Sequence, residues 1–575
     1  MSDLSSDSGG KSVSGRERAQ GGDARALSSA QLGIWFAQKI DPSSAAYNIG
    51  EYIEIEGPVV LPLFERALRQ AVDEAQTLRL QISEQDGEPR QTVSAPLAFS
   101  LPIVDVSTEP DARAVAEAWM KDDLARPVDP ARGPLFGFAL FKVSAERFFW
   151  YARYHHIALD GFGMGLVARR VAEIYTALCA GQAAAGDAFG ALAGLLDEDA
   201  AYRASEQVAL DRRYWADALA AHPDPGSLTL SAHPPVRSGN FLRATENVPR
   251  SCVEGLRTLA VQSRTSLARV MAAATAVFLH RLAGADDVVI GLPVAARGAA
   301  ARRTPGMASN VLPLRLAVHP AMTVAELVGQ ASSRIREALA HQRYQLADIR
   351  RELGGEVDAR TLFGVSINVM PFDYGFTFAG HRAIAHNLSL GPVEDLSISV
   401  YDRGAGGPLR IDFDVNPALH TQADLEGYGP RFLRLLTAFA DAERAVGNLD
   451  ILDPAERDMI LRVWNDTAEP QPEKLLPALF AEQAARTPDA VAVVFEGREL
   501  TYAELNSHSN RLAHHLQSLG VAPETVVGLC VERSPEMVIG LLAILKAGGP
   551  ICRWTPVIRV NDWSSCWPMP ASRCW

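Results

Sequence analysis

His155-His156-Ile157-Ala158-Leu159-Asp160-Gly161 decides how this chain is read, because the stretch sets an imidazole at the mouth of a buried strand. The run before it, Phe148-Phe149-Trp150-Tyr151-Ala152-Arg153-Tyr154, is aromatic and bulky, as strands tend to be. After it, Val167, Val171, Ile174 and Leu178 fall on one face of a predicted helix. Side chains alternate along a strand, so His155 and His156 are expected on opposite sides of the sheet. One can pack inside while the other faces a solvent channel. Asp160 lies where the chain turns, and Gly161 is expected to permit backbone geometry or a close approach that a Cβ would obstruct.

Imidazole has an unperturbed pKa of about 6.5, the side-chain value nearest working pH. His156 therefore suits a group that takes a proton from, or hydrogen-bonds to, an attacking nucleophile. A bare histidine pair is more often core or surface packing. The whole HHxxxDG string on strand, loop and helix is far more specific, and it resembles the core motif of condensation domains of nonribosomal peptide synthetases.

The 575 residues are too many for one core, and three or four structural units are expected. Apolar content of 48% and charged content of 21% read as soluble globular protein. A net charge of -13 argues against non-specific nucleic-acid binding, which phosphate neutralisation drives. There is no CxxC pair, HExxH or clustered acidic set, so no metal site and no bound cofactor is predicted. The six cysteines show no framework spacing and no secretory signal precedes them, which predicts reduced thiols and a cytoplasmic protein. Apolar runs such as Val270 to Leu279 are too short to span a bilayer and read as buried helices.

The predicted organisation is α/β throughout. Residues 1–24 are Ser/Gly-rich and charged, and read as a disordered leader. A first αβ unit covers 25–190, with a strand at Glu51 to Glu56, a helix at Leu63 to Ala75 and a hairpin turn at Gln85-Asp86-Gly87. The Ala/Gly-rich stretch Gly181 to Gly194 looks like a flexible crossover. A second αβ unit covers 191–447. It holds an Ala-rich helix near 266–283, a strand from Asp287 stopped by Pro293, and strand candidates at Phe363 to Met370 and Leu396 to Tyr401. A Pro-punctuated linker, 448–475, leads to a third unit that starts near Leu476.

Further stations of the resemblance follow in order. Ser29-Ala30-Gln31-Leu32-Gly33-Ile34-Trp35 looks like the first condensation-domain motif, and Tyr202 to Trp215 sits where the family has an aromatic-rich helix. Gly291 to Arg297 is similar to a GxPxxxR segment, Ser309 to Arg315 to a VNTLPLR strand, and His341-Gln342-Arg343-Tyr344 to an HQxxP motif. The resemblance covers roughly 27–447. It implies two chloramphenicol-acetyltransferase-like lobes in a V, with a tunnel between them. Leu500 to Leu505 and Leu545 to Gly549 resemble the first two adenylation-domain motifs, so 476–549 reads as the N-terminal piece of an α/β adenylate-forming domain. The wording of the N-terminal half is closest to siderophore-type synthetases such as the large enterobactin subunit. Gly33-Ile34, Gly163 and Gln345 depart from the usual residues, which leaves the condensation subtype open.

From Pro550 the chain changes character, with Trp554, Trp563, Trp567 and Trp575 crowding the end beside Cys552, Cys566 and Cys574. Written as GC-rich codons and read from the third base, Pro550 to Trp575 can spell Y-L-P-L-D-P-G-Y-P-R-E-R-L, an adenylation-domain continuation. Residues 550–575 are therefore expected to be out of frame, and adenylation activity is expected to be absent.

The resemblance implies amide-bond formation between a donor acyl or peptidyl thioester and an acceptor aminoacyl thioester. Both arrive on 4'-phosphopantetheine arms of carrier proteins. His156 is implied as the group that orients the amine and takes its proton, within a catalytic motif of His155, His156, Asp160 and Gly161. His155 is expected to be structural. Asp160 is implied to pair with Arg297 in the second lobe; the competing reading has Asp160 simply cap the next helix. Asn310 is implied to line or brace the tunnel. Two rivals stay open: a CoA-dependent acyltransferase of the same fold, and a non-catalytic truncated synthetase fragment.

Overall fold

The computed structural model describes residues 24–554, apart from 97, 187–188, 221–227, 229–240, 354–361, 371–374, 403–406, 408 and 471–472. The predicted leader and the segment 555–575 lie outside the described residues. The chain divides into two compact units, 1–457 and 458–575.

The first unit is built on two six-stranded sheets. In the first, the strand order is Thr377–Phe378, His381–Ser389, Asn48–Glu56, Arg147–His155, Phe136–Ser144, Ile103–Asp105. Alternation along Arg147–His155 splits the aromatic run between two cores. Phe148 and Trp150 join Phe64, Leu68, Val72, Val167, Val171 and Ile174 beneath the helices Leu61–Glu74 and Gly161–Cys179. Phe149 and Tyr151 pack on the other face with Met120 and Leu124 of the helix Ala112–Leu124. Both faces are covered, so the strand reads as continuously apolar rather than alternating. The Asp86-Gly87 turn forms as predicted, with φ of 53° and 80° joining Leu80–Gln85 to Glu88–Val93.

The second sheet runs Asn310–Ala317, Asp287–Val294, Val365–Met370, Leu396–Asp402, Leu409–Val415, Leu242–Val248. Its aliphatic face, including Ile290, Leu314, Ile367, Ile398 and Phe413, packs on four helices. One of these, Leu267–Ala283, is buried almost end to end, as its Ala-rich composition predicts. The opposite face is polar: Arg243 spans to Asp414 (2.6 Å), and Thr245 donates to Asp412 (2.8 Å).

Several boundaries move. Thr377–Phe378 and His381–Ser389, placed by sequence within the second unit at 191–447, pair into the first sheet beside Asn48–Glu56. Strand pairing is non-local, and no local pattern says which sheet a strand joins. The Asp287 strand runs through Pro293, which pairs opposite Val311, and ends at Val294. The predicted crossover is shorter than expected because a helix begins at Leu192, and the Tyr202 to Trp215 segment divides between the helices Leu192–Arg203 and Gln207–Ala218. The linker begins later than 448. Leu449 and Ile451 are buried in the second-lobe core, and Arg281 donates to the Leu449 carbonyl at 2.7 Å.

The second unit holds the helices Leu476–Arg486 and Tyr502–Ser518, then a βαβ turn of Val527–Cys530, Pro535–Ala547 and Ile551–Trp554. Its small core centres on Ala513, Leu516, Val527, Ala543 and Ile544. The boundary drawn at 549/550 falls inside that βαβ unit. A parallel ladder is made by backbone groups, so Ile551–Trp554 completes it without any hydrophobic period.

Candidate active site

Strand Arg147–His155 ends on His155, and His156 is the first residue of the turn that follows. Two backbone bonds fix this exit: His155 N donates to Leu135 O (2.8 Å) and His156 N to Tyr47 O (2.7 Å). Gln31, from the first motif, secures the turn by donating to the Ile157 carbonyl (3.1 Å). The sequence marks Gln31 as a motif member but not as the brace of the histidine loop.

The two histidines occupy different surroundings, although His156 lies beyond the strand whose alternation was expected to separate them. His155 is buried; its Nδ1 accepts from Ile157 N (3.3 Å) and its Nε2 lies 3.4 Å from Gln38 Oε1. Burial pushes its pKa down to about 3, aided by the nearby charges of His156 and Arg153. His156 is only half-buried. Its Nδ1 is buried from solvent, and the Cδ2–Nε2 edge faces the turn at Gly391. Desolvation lowers the His156 pKa, opposed in part by the Asp160 carboxylate and by the backbone groups of His156 and Leu159, so the ring is neutral at pH 7 and able to accept a proton.

Asp160 performs both of the roles that the sequence leaves as alternatives. It caps the helix Gly161–Cys179, with Oδ1 accepting from Gly163 N (2.8 Å). The same oxygen accepts from Arg297 Nη2 (2.6 Å), while Oδ2 accepts from Ala308 N (3.1 Å) and Ser309 N (3.0 Å). Both members of the ion pair are almost wholly buried, at 1% and 3% side-chain exposure. Four donors occupy the carboxylate, so it has no oxygen left to orient His156 as the third member of a catalytic triad does. Arg297 also donates to the carbonyls of Thr304 (2.7 Å) and Gly306 (2.6 Å), fixing the second-lobe loop against the motif.

Gly161 does not play the role expected of it. Gly161 has no left-handed φ, and an added Cβ would meet nothing within 4 Å, so neither backbone freedom nor close approach explains it. As the first helical residue it has ordinary geometry and only leaves open space. Gly163 is the crowded one: a Cβ there would stand 3.0 Å from Leu159 Cδ2 and 3.1 Å from Gly306 N. The departure at Gly163 lets the second-lobe loop close on the helix start.

Asn310 is a brace. Its Nδ2 donates to the carbonyls of Gln342 (2.9 Å) and Tyr344 (2.8 Å), and its Oδ1 accepts from Leu346 N (3.0 Å). The HQRY segment is clamped in turn: His341 Nδ1 meets Asp211 Oδ1 at 2.8 Å and its ring stacks on Tyr214 at 4.0 Å. Tyr202 donates to the same aspartate (2.7 Å), and Arg343 lies over the Tyr202 ring. Motifs far apart in sequence are thus tied together around the histidine loop. Among the described residues, no group of three or more His, Cys, Asp or Glu side chains could hold a metal ion.

Two chloramphenicol-acetyltransferase-like lobes, tied by Asp160 and Arg297 beside a half-open neutral histidine, define the class. A condensation-domain family model matches residues 23–461, and the chain belongs to that family. An AMP-binding enzyme model matches residues 480–556. Among curated relatives, a dimodular nonribosomal peptide synthase of Bacillus subtilis (strain 168) is 45% identical over 91% of this chain and 22% of its own length. Enterobactin synthase component F of Escherichia coli O157:H7 is 33% identical over 92% of this chain and 41% of its own. The chain therefore spans well under half the length of these relatives. Among solved structures, a variant of the starter condensation domain of rhizomide synthetase in complex with C8-CoA is 43% identical. It has a TM-score of 0.71 and covers 75% of this chain and 98% of that one. The first condensation domain of the calcium-dependent antibiotic synthetase, in complex with a substrate analogue, is 35% identical with a TM-score of 0.69. It covers 75% of this chain and 99% of its own.

Proposed function

We propose that the chain joins a donor acyl or peptidyl group to the amine of an acceptor aminoacyl group, both carried as thioesters on 4'-phosphopantetheine arms of carrier proteins. The observation that carries this reading is the half-buried, neutral His156, set at the exit of the strand Arg147–His155. The amine nitrogen attacks the donor carbonyl carbon, the C–N bond forms and the C–S bond breaks. The proton lost by the amine passes to His156 Nε2 and on to the departing thiolate.

Positioning outweighs base catalysis here. An α-amino group with a pKa of about 7.7–8.0 is already partly neutral near pH 7.5. A general base adds roughly 10²–10⁴-fold, whereas holding two reactants aligned removes about 7–11 kcal/mol of barrier. His156 has no carboxylate on Nδ1, which keeps the base contribution modest. Purified protein, loaded donor and acceptor carriers and mass spectrometry of the product test the assignment. Wild-type-like amide formation by His156→Ala would overturn it.

A second reading has the donor arrive as an acyl-CoA, and the C8-CoA complex of the rhizomide relative favours it. Turnover with octanoyl-CoA and no donor carrier separates the two. We also propose a siderophore-type product, on the similarity to enterobactin synthase component F, and a cytoplasmic location. Deleting the gene should then remove iron-chelating activity from the culture medium. Among the described residues no single helix is long and apolar enough to cross a membrane; the bent pair Arg250–Gln262 and Leu267–Ala283 lies in the second-lobe core. On the out-of-frame reading of 550–575, this sequence supports no aminoacyl adenylation. Amino-acid-dependent exchange of pyrophosphate into ATP by the 575-residue chain would refute that.

A further inference from the structure

The segment that crosses from the first sheet to the second, residues 389–396, passes directly over His156. Ser389 ends its strand with its hydroxyl on the Asn48 carbonyl (3.0 Å), and Gly391 N donates back to that hydroxyl (3.3 Å). At the other end, Asp395 is gripped by His420 and accepts from Leu228 N (3.0 Å). The turn is therefore pinned to both lobes and has little room to shift.

Gly391 sits in that turn, buried, with a φ of +112°. That conformation belongs to glycine, because an L side chain there meets its own backbone. The missing side chain also matters for what lies opposite. A Cβ on Gly391 would stand 3.4 Å from Cδ2 and 3.9 Å from Nε2 of His156, and 4.0 Å from Cγ2 of Ile49. These are contact distances along the imidazole edge that carries Nε2.

We propose that Gly391 is a specificity-determining residue whose absent side chain leaves the space taken by the acceptor's α-carbon and its substituent beside His156. The inference rests on the reading of His156 given above. An amine hydrogen-bonded to Nε2 lies about 2.9 Å from it, and its α-carbon is about 1.5 Å further on. That carbon and its side chain must fit beside Cδ2 and Nε2, where a methyl on residue 391 would already be in contact. A glycyl acceptor needs the space least, and a branched acceptor needs it most.

The test compares amide formation with glycyl, L-alanyl and L-leucyl N-acetylcysteamine thioesters, using one donor throughout. Gly391→Ala should lose kcat/KM progressively with acceptor size, at least tenfold more for leucyl than for glycyl. Misfolding lowers the active fraction equally for all three acceptors, so the ratio reports only on the site. Ser389→Ala, which frees the turn without adding bulk, keeps the idea testable if Gly391→Ala is insoluble. It should change the leucyl-to-glycyl ratio at least threefold. A uniform loss across acceptors in the soluble variants overturns the proposal. His156→Ala, run in parallel, keeps the two ideas apart: activity surviving there sinks the role of His156, whatever the Gly391 ratio.

Discussion

His156 and His420 sit near carboxylates in the two lobes, yet their nitrogens are used in opposite ways. His420 is closed on both sides, with Nε2 on Asp395 and Nδ1 within 3.0 Å of the Tyr428 hydroxyl, and its side chain is 1% exposed. His156 is half-buried and has no carboxylate bonded to its ring, while its neighbouring Asp160 is fully engaged by Gly163, Arg297, Ala308 and Ser309. A histidine with both nitrogens occupied can only brace. A neutral one with a free nitrogen facing substrate space can accept a proton. His341 is intermediate, with Nδ1 held by Asp211 and its ring stacked on Tyr214.

The sharpest way to break this contrast is to delete each ring. His156→Ala should reduce condensation by about 10²–10⁴-fold while its melting temperature stays near wild type. His420→Ala should show the reverse, losing about 1–3 kcal/mol because the buried Asp395 carboxylate loses its imidazole partner and keeps the Leu228 N–H. Activity assays beside thermal melts decide it, and equal behaviour of the two variants would erase the distinction.

Next in size is the interlobe tie. Asp160→Ala or Arg297→Ala strands a buried charge, which costs about 3–5 kcal/mol in each single variant. The double variant should cost less than the sum, since the pair is in direct contact. Additive chemical-denaturation energies would show that the two charges do not depend on each other.

His155 gives a smaller, pH-dependent effect. Its folded pKa of about 3 lies below the unfolded value of about 6.5, so in that window the unfolded chain binds a proton that the native chain does not. Its contribution is fully present above pH 6.5 and is lost as pH falls toward 3, at up to about 1.4 kcal/mol per pH unit. His155→Gln should flatten the fall in melting temperature between pH 7 and pH 4.5. An unchanged slope means that His155 is protonated in the fold.

The smallest effect is expected from removing the chain beyond residue 465. The first unit runs to Arg457, with Leu449 and Ile451 inside its core and Glu456 paired to Arg431 at 2.6 Å. A stop after residue 465 should leave the condensation rate unchanged, whereas a stop at 447 should lose the fold; matching melts for both would place the boundary elsewhere.

Much of the site is legible in the sequence because its signals are local. An aromatic strand, a turn carrying Asp160 and a helix with a 3.6-residue apolar face fix strand, loop and helix in place. Strand alternation anticipated different surroundings for His155 and His156, but the strand ends at His155 and it is the turn that carries His156 away from the core. What the sequence cannot carry is long-range pairing. It left Asp160 with two competing roles, and only the approach of the 297–309 loop showed one carboxylate filling both. It placed 377–389 in the wrong lobe, because ladder hydrogen bonds are made by backbone groups common to every residue. It singled out Gly161, while the crowded glycine is Gly163 and the one with a left-handed φ is Gly391, where chain from the second half of the sequence meets the histidine loop. The chemistry-bearing residue types were set by the sequence alone; which of their atoms stay open to substrate was decided when the two halves of the fold closed around them.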